Sequence, residues 1–259
     1  MQGKGLDDGD TWVSITDLMT GLMATFLLIA LAFMLQLQQK DPLEAHRLIE
    51  QNIFNALKTE FQQEEAAQMI TVDSSLTMRF IDGKVKMFTQ GQKSLEPEFK
   101  LMLNTTLPKY LELITRDTVL KHIAEVRIEG HANSDQNADY TALHWNDASV
   151  AHLDAAERKQ YLSYAFNSEL SQSRSREVLA YVRTHQSYLG LPPEKRERLD
   201  FLLSATGMSF ARRLDDSGEL AYITEKPENK ATSLRVEFKI VTSRPGGLDD
   251  TLEDKASRP

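Results

Sequence analysis

Asp17 is the residue whose position most strongly suggests chemistry, because it places a carboxyl group inside a long apolar run. From Trp12 to Leu35 the sequence has 24 residues and one formal charge, that of Asp17. An ionisable group at the centre of a membrane helix costs roughly 2.5–3.5 kcal/mol, so its presence there indicates a function. Burial penalises the charged carboxylate, and each proton that crosses 100 mV releases about 2.3 kcal/mol. Asp17 is therefore a candidate proton carrier.

The neighbours of Asp17 favour this interpretation. Thr20 and Gly21 follow it by three and four residues and lie on the same helical face. The Thr20 hydroxyl can hydrogen-bond the carboxyl group or a water, and Gly21 allows another helix to approach. Together with Ser14, Thr20 is predicted to support the proton path. The alternative is that Asp17 only caps a helix beginning at Leu18, because the remaining apolar residues still span a bilayer.

The apolar run predicts an uncleaved membrane anchor. Its 24 residues form about 36 Å of helix, enough to cross a hydrocarbon core of about 30 Å. A signal peptide would have a basic start, a shorter apolar run and a small-x-small cleavage site, whereas this run follows an acidic start and ends in LQLQQK. We predict a polar tail over 1–11 and a transmembrane helix over 12–36. The flanking charges leave its orientation open.

Composition limits the other possible functions. The chain has 259 residues, a net charge of −8 and no cysteine. An acidic chain without a clustered basic face is not expected to contact nucleic acid directly. The lack of cysteine excludes disulfides, thiolate zinc sites and cysteine nucleophiles. His144 and His152 have no third ligand at metal spacing, and no catalytic triad or P-loop is visible. We predict no enzyme active site, cofactor or metal.

A helical linker is predicted over 37–70. Asp41 can cap a new helix, Pro42 suits its first position, and Glu44 completes a capping-box spacing. Four apolar residues then recur on one face of this helix: Ile49, Ile53, Leu57 and Phe61. Such a stripe predicts packing against a second copy of the chain or a partner.

An α+β domain is predicted over 71–243, with helices on one face of a mixed sheet, followed by a disordered tail over 244–259. Asp82-Gly83 predicts the turn of a hairpin over 76–88. The predicted helices span 94–116, where Pro108 kinks or splits the helix, and 169–185. The other predicted strands span 123–130, 199–207 and 233–241, and residues 132–165 are predicted to be mostly irregular.

The membrane segment resembles the transmembrane signature of MotB-type stator subunits. The pattern W-x-S-x-x-D-L-M-T-G-L-M-A-x-F-L begins at Trp12 and agrees in order and spacing. In that family the aspartate before the hydrophobic-Met-Thr motif binds the proton. The resemblance therefore implies that Asp17 is the proton-binding residue, with H⁺ as the translocated ion and Na⁺ as the alternative.

Residues from about 72 to 241 resemble the OmpA/MotB C-terminal peptidoglycan-binding domain. Three segments carry this resemblance: Ile128–Asn133 (Gly-His-Thr-Asp in the family), Asn167–Arg174 (Asn-x-x-Leu-Ser-x-x-Arg) and Arg235–Glu237 (Arg-Val-Glu). The implied peptidoglycan site consists of His131, Asn133, Asp135, Asn167, Leu170, Ser171, Arg174 and Arg235. In the family, an aspartate and the helix arginine hold the zwitterionic end of diaminopimelate.

Two departures from the family pattern leave a different ligand open. Asn133 stands where the family has its aspartate, which weakens the contact with an ammonium group. Asp135, two residues later, is the predicted substitute. The segment between Asn133 and Asn167 is also longer than in compact family members.

Two stator families share this layout, and the closing segments favour one of them. The segments Ser204–Phe210 and Ala231–Glu237, with the acidic N-terminus, resemble ZorB, the MotB-like subunit of the Zorya anti-phage system. The resemblance implies a single-pass inner-membrane chain with a cytoplasmic N-terminus, a periplasmic domain and a homodimeric state. A multi-subunit MotA-like (ZorA-like) membrane protein would surround the pair and rotate. The alternatives are a flagellar MotB-type stator subunit and a passive OmpA-like wall tether.

Overall fold

The computed structural model describes residues 8–81, 85–89, 91–135 and 150–243; within them, residues 8–17 and 36–42 are described by their backbone alone. The chain divides into two compact units, Met1–Leu48 and Ile49–Pro259. The predicted turn at Asp82-Gly83, His144 and the C-terminal tail lie outside the described residues.

Helix α1 spans Asp8–Glu60 and contains the whole predicted transmembrane helix. Within it, Leu18–Leu35 is long and apolar enough to cross a membrane. Every side chain of this stretch is exposed. Since apolar side chains gain free energy when they leave water, this surface requires lipid or other protein around it.

The predicted start of a second helix at Asp41 is wrong, because α1 passes through Asp41 and Pro42 without a break. Proline inside a helix removes one hydrogen bond and disfavours the preceding turn, which is why the pattern indicated a boundary. The flanking segments LQLQQK and LEAHRL consist largely of good helix formers, which favour continuation on both sides.

The end of α1 belongs to the core of the second unit. Ile53, Leu57 and Phe61 are buried in the same apolar cluster as the sheet residues, and Ile49 packs against it. The predicted packing of this stripe on a second copy or a partner is therefore wrong, as is the start of the domain near Thr71. An apolar stripe shows that a helix needs a partner surface, but not whether the surface comes from the same chain.

The sheet has five strands in the order β1-β2-β5-β3-β4. Their bounds are Ile70–Asp73 (β1), Thr77–Ile81 (β2), Ile123–His131 (β3), Leu203–Gly207 (β4) and Arg235–Thr242 (β5). Strands β3 and β4 are parallel, and the other neighbouring pairs are antiparallel. The mixed α+β fold predicted from the sequence is confirmed.

The N-terminal hairpin consists of β1 and β2. The predicted hairpin over 76–88 is wrong, because β2 pairs with β1 on one side and with β5 on the other. Its turn is fixed by Asp73, whose carboxylate accepts a 2.9 Å hydrogen bond from the Ser75 backbone N–H. Leu76 follows with a positive φ of 60°. An aspartate that closes its own turn leaves no Asn-Gly or Asp-Gly signal, and the Asp-Gly pair downstream was the stronger sequence cue.

Helices α2 to α4 span Gln62–Ala66, Pro97–Ile114 and Asp117–Leu120. Pro108 lies inside α3, which continues without a split. Tyr110 of α3 lies edge-on to Phe238 of β5, with ring centroids 5.4 Å apart. This contact places α3 on the apolar face of the sheet.

The later helices are α5 (Ala155–Thr184), α6 (Gln186–Leu189), α7 (Pro193–Leu202), α8 (Ala221–Thr224) and α9 (Lys230–Ser233). The irregular segment predicted over 132–165 is wrong from Ala155 onward, where Asp154 and Glu157 form a complete capping box. The strand predicted over 199–207 is wrong at its start, because Leu199 and Leu202 are buried residues of α7.

Two glycines allow α5 to pack directly on the sheet. A Cβ atom at Gly130 would lie 2.4 Å from the Ser171 carbonyl oxygen, and one at Gly207 would lie 2.3 Å from the Gln172 amide nitrogen. The Gln172 side chain accepts a hydrogen bond from Gly207 N–H and donates one to the Ala205 carbonyl. Two of the three segments that carry the wall-domain resemblance, Ile128–Asn133 and Asn167–Arg174, therefore meet where α5 packs on β3.

Candidate functional site

The predicted proton-path residues lie in the first unit. Asp17 and Ser14 lie in the part of α1 that is described by its backbone alone, and Thr20 lies on the exposed apolar stretch. Farther along, the Thr25 hydroxyl donates a 2.8 Å hydrogen bond to the Gly21 carbonyl, which satisfies that polar group within the helix. The role of Asp17 stays a prediction.

Three of the predicted wall-site residues lie on α5 and hold the loop after β4. Asn167 is buried and donates a 2.9 Å hydrogen bond to the Ser163 carbonyl. The Ser171 hydroxyl accepts a 3.0 Å hydrogen bond from the Ser209 backbone N–H. Leu170 is half-buried between them on the helix. The Ser171 contact joins the Ser209 turn to the helix, whereas the Asn167 contact lies within the helix.

Arg174 is also buried on α5, and its guanidinium binds a loop of its own chain. Its Nε donates to the Gln92 carbonyl at 2.9 Å and its Nη2 to the Thr89 carbonyl at 3.3 Å. The guanidinium lies over the Phe88 ring, 4.7 Å from the centroid, a favourable cation–π contact. These donors, which the resemblance assigns to a ligand carboxylate, already bind backbone carbonyls.

The polar pair after β3 is occupied in a similar way. Asn133 donates to the Asp135 carboxylate at 3.1 Å and to the Lys230 carbonyl at 3.3 Å. Asp135 also binds the Lys230 ammonium group, and this contact raises the pKa of Lys230 above its ordinary value. The carboxylate predicted to receive the ammonium group of a wall peptide is therefore paired with a lysine of the same domain.

His131 and Arg235 lie on the opposite face of the sheet. Gly130 faces α5, and successive strand residues alternate, so His131 points away from that helix. His131 and Arg235 are directly opposite each other in the β3–β5 register. The structure thus separates the predicted site residues into a group on α5, a group after β3 and a group behind the sheet.

The face behind the sheet carries a buried charged cluster that the sequence analysis did not assemble. Nε2 of His131 lies 3.4 Å from Oε2 of Glu129 and 3.4 Å from Oε2 of Glu237. Oε1 of Glu237 accepts hydrogen bonds from Arg79 at 2.8 Å and from Arg235 at 2.6 Å. Burial by itself raises the pKa of Glu237, but the neighbouring His131, Arg235 and Arg79 lower it far below its ordinary range.

Glu129 has the same character as Glu237, its partner in the register. Burial favours its neutral form, but the proximity of His131 holds the pKa of Glu129 below its ordinary value. Burial also lowers the pKa of Arg235, against the opposing effect of Glu237. The sequence contains a signal for this cluster, because Glu129 and His131 are two residues apart in β3 and Arg235 and Glu237 are two residues apart in β5. Only the pairing of β3 with β5 brings the four side chains together.

The fold and these sites define a class of protein: one candidate membrane-spanning helix followed by a mixed-sheet domain with the segments of a MotB-like wall anchor. No family model matches the sequence. The chain is 32% identical over 249 residues to the Zorya protein ZorB of Escherichia coli (strain Crooks), covering 91% of this chain and 89% of that protein. The chain therefore belongs to the ZorB family.

Two solved structures have a lower similarity to this chain. A putative MotB-like protein from Desulfovibrio vulgaris is 21% identical, with a TM-score of 0.44, and the alignment covers 82% of this chain and 98% of that one. The cell wall anchor of the T6SS from Pseudomonas aeruginosa is 16% identical, with a TM-score of 0.41 and coverage of 72% and 97%. The family assignment rests on the Escherichia coli relative.

Proposed function

We propose that this chain is the ion-conducting stator subunit of a MotAB-like rotary motor in the inner membrane, acting as the ZorB component of Zorya anti-phage defence. Two copies pair, a multi-subunit MotA-like partner surrounds them, and protons that pass Asp17 drive rotation. The second unit lies in the periplasm and anchors the pair to peptidoglycan. In this role the chain acts as a transducer and anchor, without enzymatic activity or direct contact with nucleic acid.

The observation that carries this proposal is the single carboxyl group between Trp12 and Leu35 in a chain that belongs to the ZorB family. Leu18–Leu35 contains no charged residue, and Asp17 directly precedes it. A carboxyl group at this boundary has two charge states, and a change of charge can shift the balance between two packings of the surrounding helices.

The central experiment replaces Asp17 by Asn in the full chain, co-expressed with its MotA-like partner in a host challenged with phage. Asparagine keeps the size of the side chain but cannot carry a proton, so we expect protection, measured as plaque reduction, to be lost. Asp17→Glu keeps a carboxyl group and is expected to retain part of the protection. Asp10→Asn, outside the apolar run, is the matched control and is expected to protect fully.

Amounts of chain in the membrane fraction and co-purification with the partner must be equal for all three variants. Full protection by Asp17→Asn under these conditions would contradict the motor proposal. A passive wall tether would then be the better explanation, because a tether needs no proton carrier.

Wall binding is tested at the Lys230–Asp135 pair. Since Lys230 occupies the Asp135 carboxylate, Lys230→Ala frees it for the ammonium group of a wall peptide. We expect a severalfold larger fraction of the detergent-solubilised full chain to sediment with purified sacculi. Asp135→Asn is expected to sediment less than the unmodified chain. Lys121→Ala, an exposed lysine just before the other end of β3, is the control. If no variant sediments with sacculi, the domain binds another ligand.

A further inference from the structure

The buried cluster behind the sheet contains polar atoms that form no hydrogen bond with any described residue. They are Oε2 of Glu129 and both ring nitrogens of His131, although Nε2 of His131 lies 3.4 Å from Oε2 of Glu129 and of Glu237. Glu129 and His131 are 1% and 2% exposed. Leaving a buried polar or charged atom without a partner costs on the order of 1–3 kcal/mol, or more for a carboxylate. A buried group of this kind calls for a further binding partner.

Nε2 of His131 lies close to one carboxylate oxygen of Glu129 and one of Glu237. His131, Glu129 and Glu237 each offer one ligand atom, and these atoms all lie within 4.8 Å of one another. Two ligand atoms bound tetrahedrally at about 2.1 Å from a zinc ion are about 3.4 Å apart. The distances from His131 Nε2 to Oε2 of Glu129 and to Oε2 of Glu237 are both 3.4 Å. The spacing therefore fits a small cation bound between the three side chains.

The remaining oxygens of the two carboxylates are held from outside the cluster. Arg79 and Arg235 bind Oε1 of Glu237, and Arg127 lies 3.4 Å from Oε1 of Glu129. Outer groups that fix the unused atom of a ligand are a usual feature of metal sites, because they orient the ligating atom.

The positive charge of these arginines opposes a cation, but two of them are shared with further carboxylates. Arg127 also pairs with Glu125, and Arg79 pairs with Asp73 at 3.3 Å. The Glu237 side chain is 8% exposed, against 1% for the side chains of Glu129 and His131.

We propose that Glu129, His131 and Glu237 form a structural site for a divalent transition-metal ion of the zinc class, which fastens β3 to β5. One imidazole nitrogen and two carboxylate oxygens suit this class, whereas Ca²⁺ and Mg²⁺ prefer oxygen ligands alone. A water completes four-coordination. The site belongs to the second unit and stabilises that domain whether or not the chain acts in a motor.

The test measures zinc binding by the full chain, solubilised in detergent and stripped of metal by dialysis against a chelator. After addition of zinc and removal of the excess, elemental analysis is expected to find one zinc ion per chain. The thermal midpoint of the domain, followed by circular dichroism, is expected to rise by several degrees on zinc addition and to return to its starting value with chelator.

Glu129→Gln and His131→Gln are expected to lose the bound zinc and the thermal shift. Glu98→Gln removes an exposed carboxylate in the first turn of α3 that is not a proposed ligand, so it is expected to keep both. His152→Gln controls for binding by a histidine outside the cluster. Unchanged zinc content in Glu129→Gln and His131→Gln, or no zinc above background in the unmodified chain, would overturn the proposal.

If a ligand variant fails to fold, cobalt binding to the unmodified chain decides the question. Tetrahedral Co²⁺ with nitrogen and oxygen ligands is expected to give visible absorption bands that one equivalent of zinc abolishes. Absence of these bands would also reject the site.

Discussion

The apolar stretch of α1 and the charged face of the sheet both have unusual side-chain exposure, but in opposite ways. Leu22 and Phe26 of the first unit are 74% and 71% exposed, although both are strongly apolar. Glu129 and Arg235 of the second unit are 1% and 3% exposed, although both carry charge. One region exposes what is usually buried, and the other buries what is usually exposed.

The difference shows which surroundings stabilise the exposed apolar side chains and which stabilise the buried charges. No described residue covers the apolar stretch, so lipid or other protein must surround it. On the charged face, the charge of Glu237 is compensated within its own unit, where Arg79 and Arg235 bind the same oxygen of its carboxylate. We therefore expect substitutions in the first region to change membrane association and assembly, and substitutions in the second to change the stability of the domain.

The largest expected effect on stability comes from Arg235→Met. This change removes one of two guanidinium partners of Glu237 and leaves the carboxylate buried. Breaking a buried ion pair lowers the free energy of unfolding by about 3–5 kcal/mol. Urea unfolding of the detergent-solubilised chain, followed by circular dichroism, measures this change.

Arg183→Met is the matched control for that substitution. Its ion pair with Asp200 is about half exposed, with side-chain exposures of 49% and 41%, so we expect a loss below about 1 kcal/mol. Equal losses for the two variants would show that the buried charges contribute no more than exposed ones, and the contrast between the two regions would fail.

The second-largest effect is expected from a charge added to the apolar stretch of α1, and it concerns membrane association. Leu27→Arg places a guanidinium group in the middle of Leu18–Leu35, where a charge costs roughly 2.5–3.5 kcal/mol on insertion. We expect a smaller fraction of the chain to remain in carbonate-washed membranes, with an unchanged unfolding transition of the domain. Leu101→Arg, at a leucine that is 66% exposed on the domain, is expected to leave membrane association unchanged. A similar loss from both variants would indicate general misfolding.

The smallest effect is expected at Asp215, a buried carboxylate that neutral donors hydrogen-bond and that lies 3.8 Å from the Lys226 ammonium group. Ser217 donates to it from its backbone N–H at 2.8 Å and from its hydroxyl at 2.6 Å, and the Thr224 hydroxyl donates at 2.8 Å. The Ser217 hydrogen bond and the other donors hold the pKa of Asp215 far below its ordinary value of 3.8. The carboxylate therefore stabilises the loop between β4 and β5.

Because this pKa is lowered by folding, the stabilisation is fully present above about pH 3.8 and is lost as the pH falls below it. Asp215→Asn is expected to lower the thermal midpoint at pH 7, and the difference from the unmodified chain is expected to shrink below about pH 3.8. Asp216→Asn, at its exposed neighbour, is the control and should follow the unmodified chain at every pH. A difference that stays constant down to pH 3 would contradict this role of the carboxylate.

Local patterns predicted the elements whose residues face a single environment. The strand predicted over 123–130 is confirmed as β3, and the strand predicted over 233–241 corresponds to β5, because both alternate along their length. The pattern was less informative where a residue serves two purposes. Leu199 and Leu202 fit a strand in the sequence, but the proline-led helix α7 buries them.

The sites were predictable to a similar, partial extent. The family segments led to the prediction of Arg174, and Asp135 was predicted as the substitute for the family's aspartate. Neither prediction indicated that Arg174 binds the backbone of residues 89 and 92 or that Asp135 binds Lys230. Such contacts join segments that are distant in the chain, and no local spacing encodes them. The expectation that the chain lacks a metal site rested on the absence of cysteine and on the spacing of histidines along the sequence. Neither feature can show that His131 and Glu237 lie close together in space.

The sequence by itself determined the apolar stretch, its single carboxyl group at Asp17 and the period of each strand, because these depend on the order of neighbouring residues. The tertiary structure alone decided which charges share a buried space. Glu129 and Glu237 lie far apart in the chain and become partners through the register between β3 and β5. A shift of one strand by one residue would move all of its side chains to the other face of the sheet, and the cluster would not form.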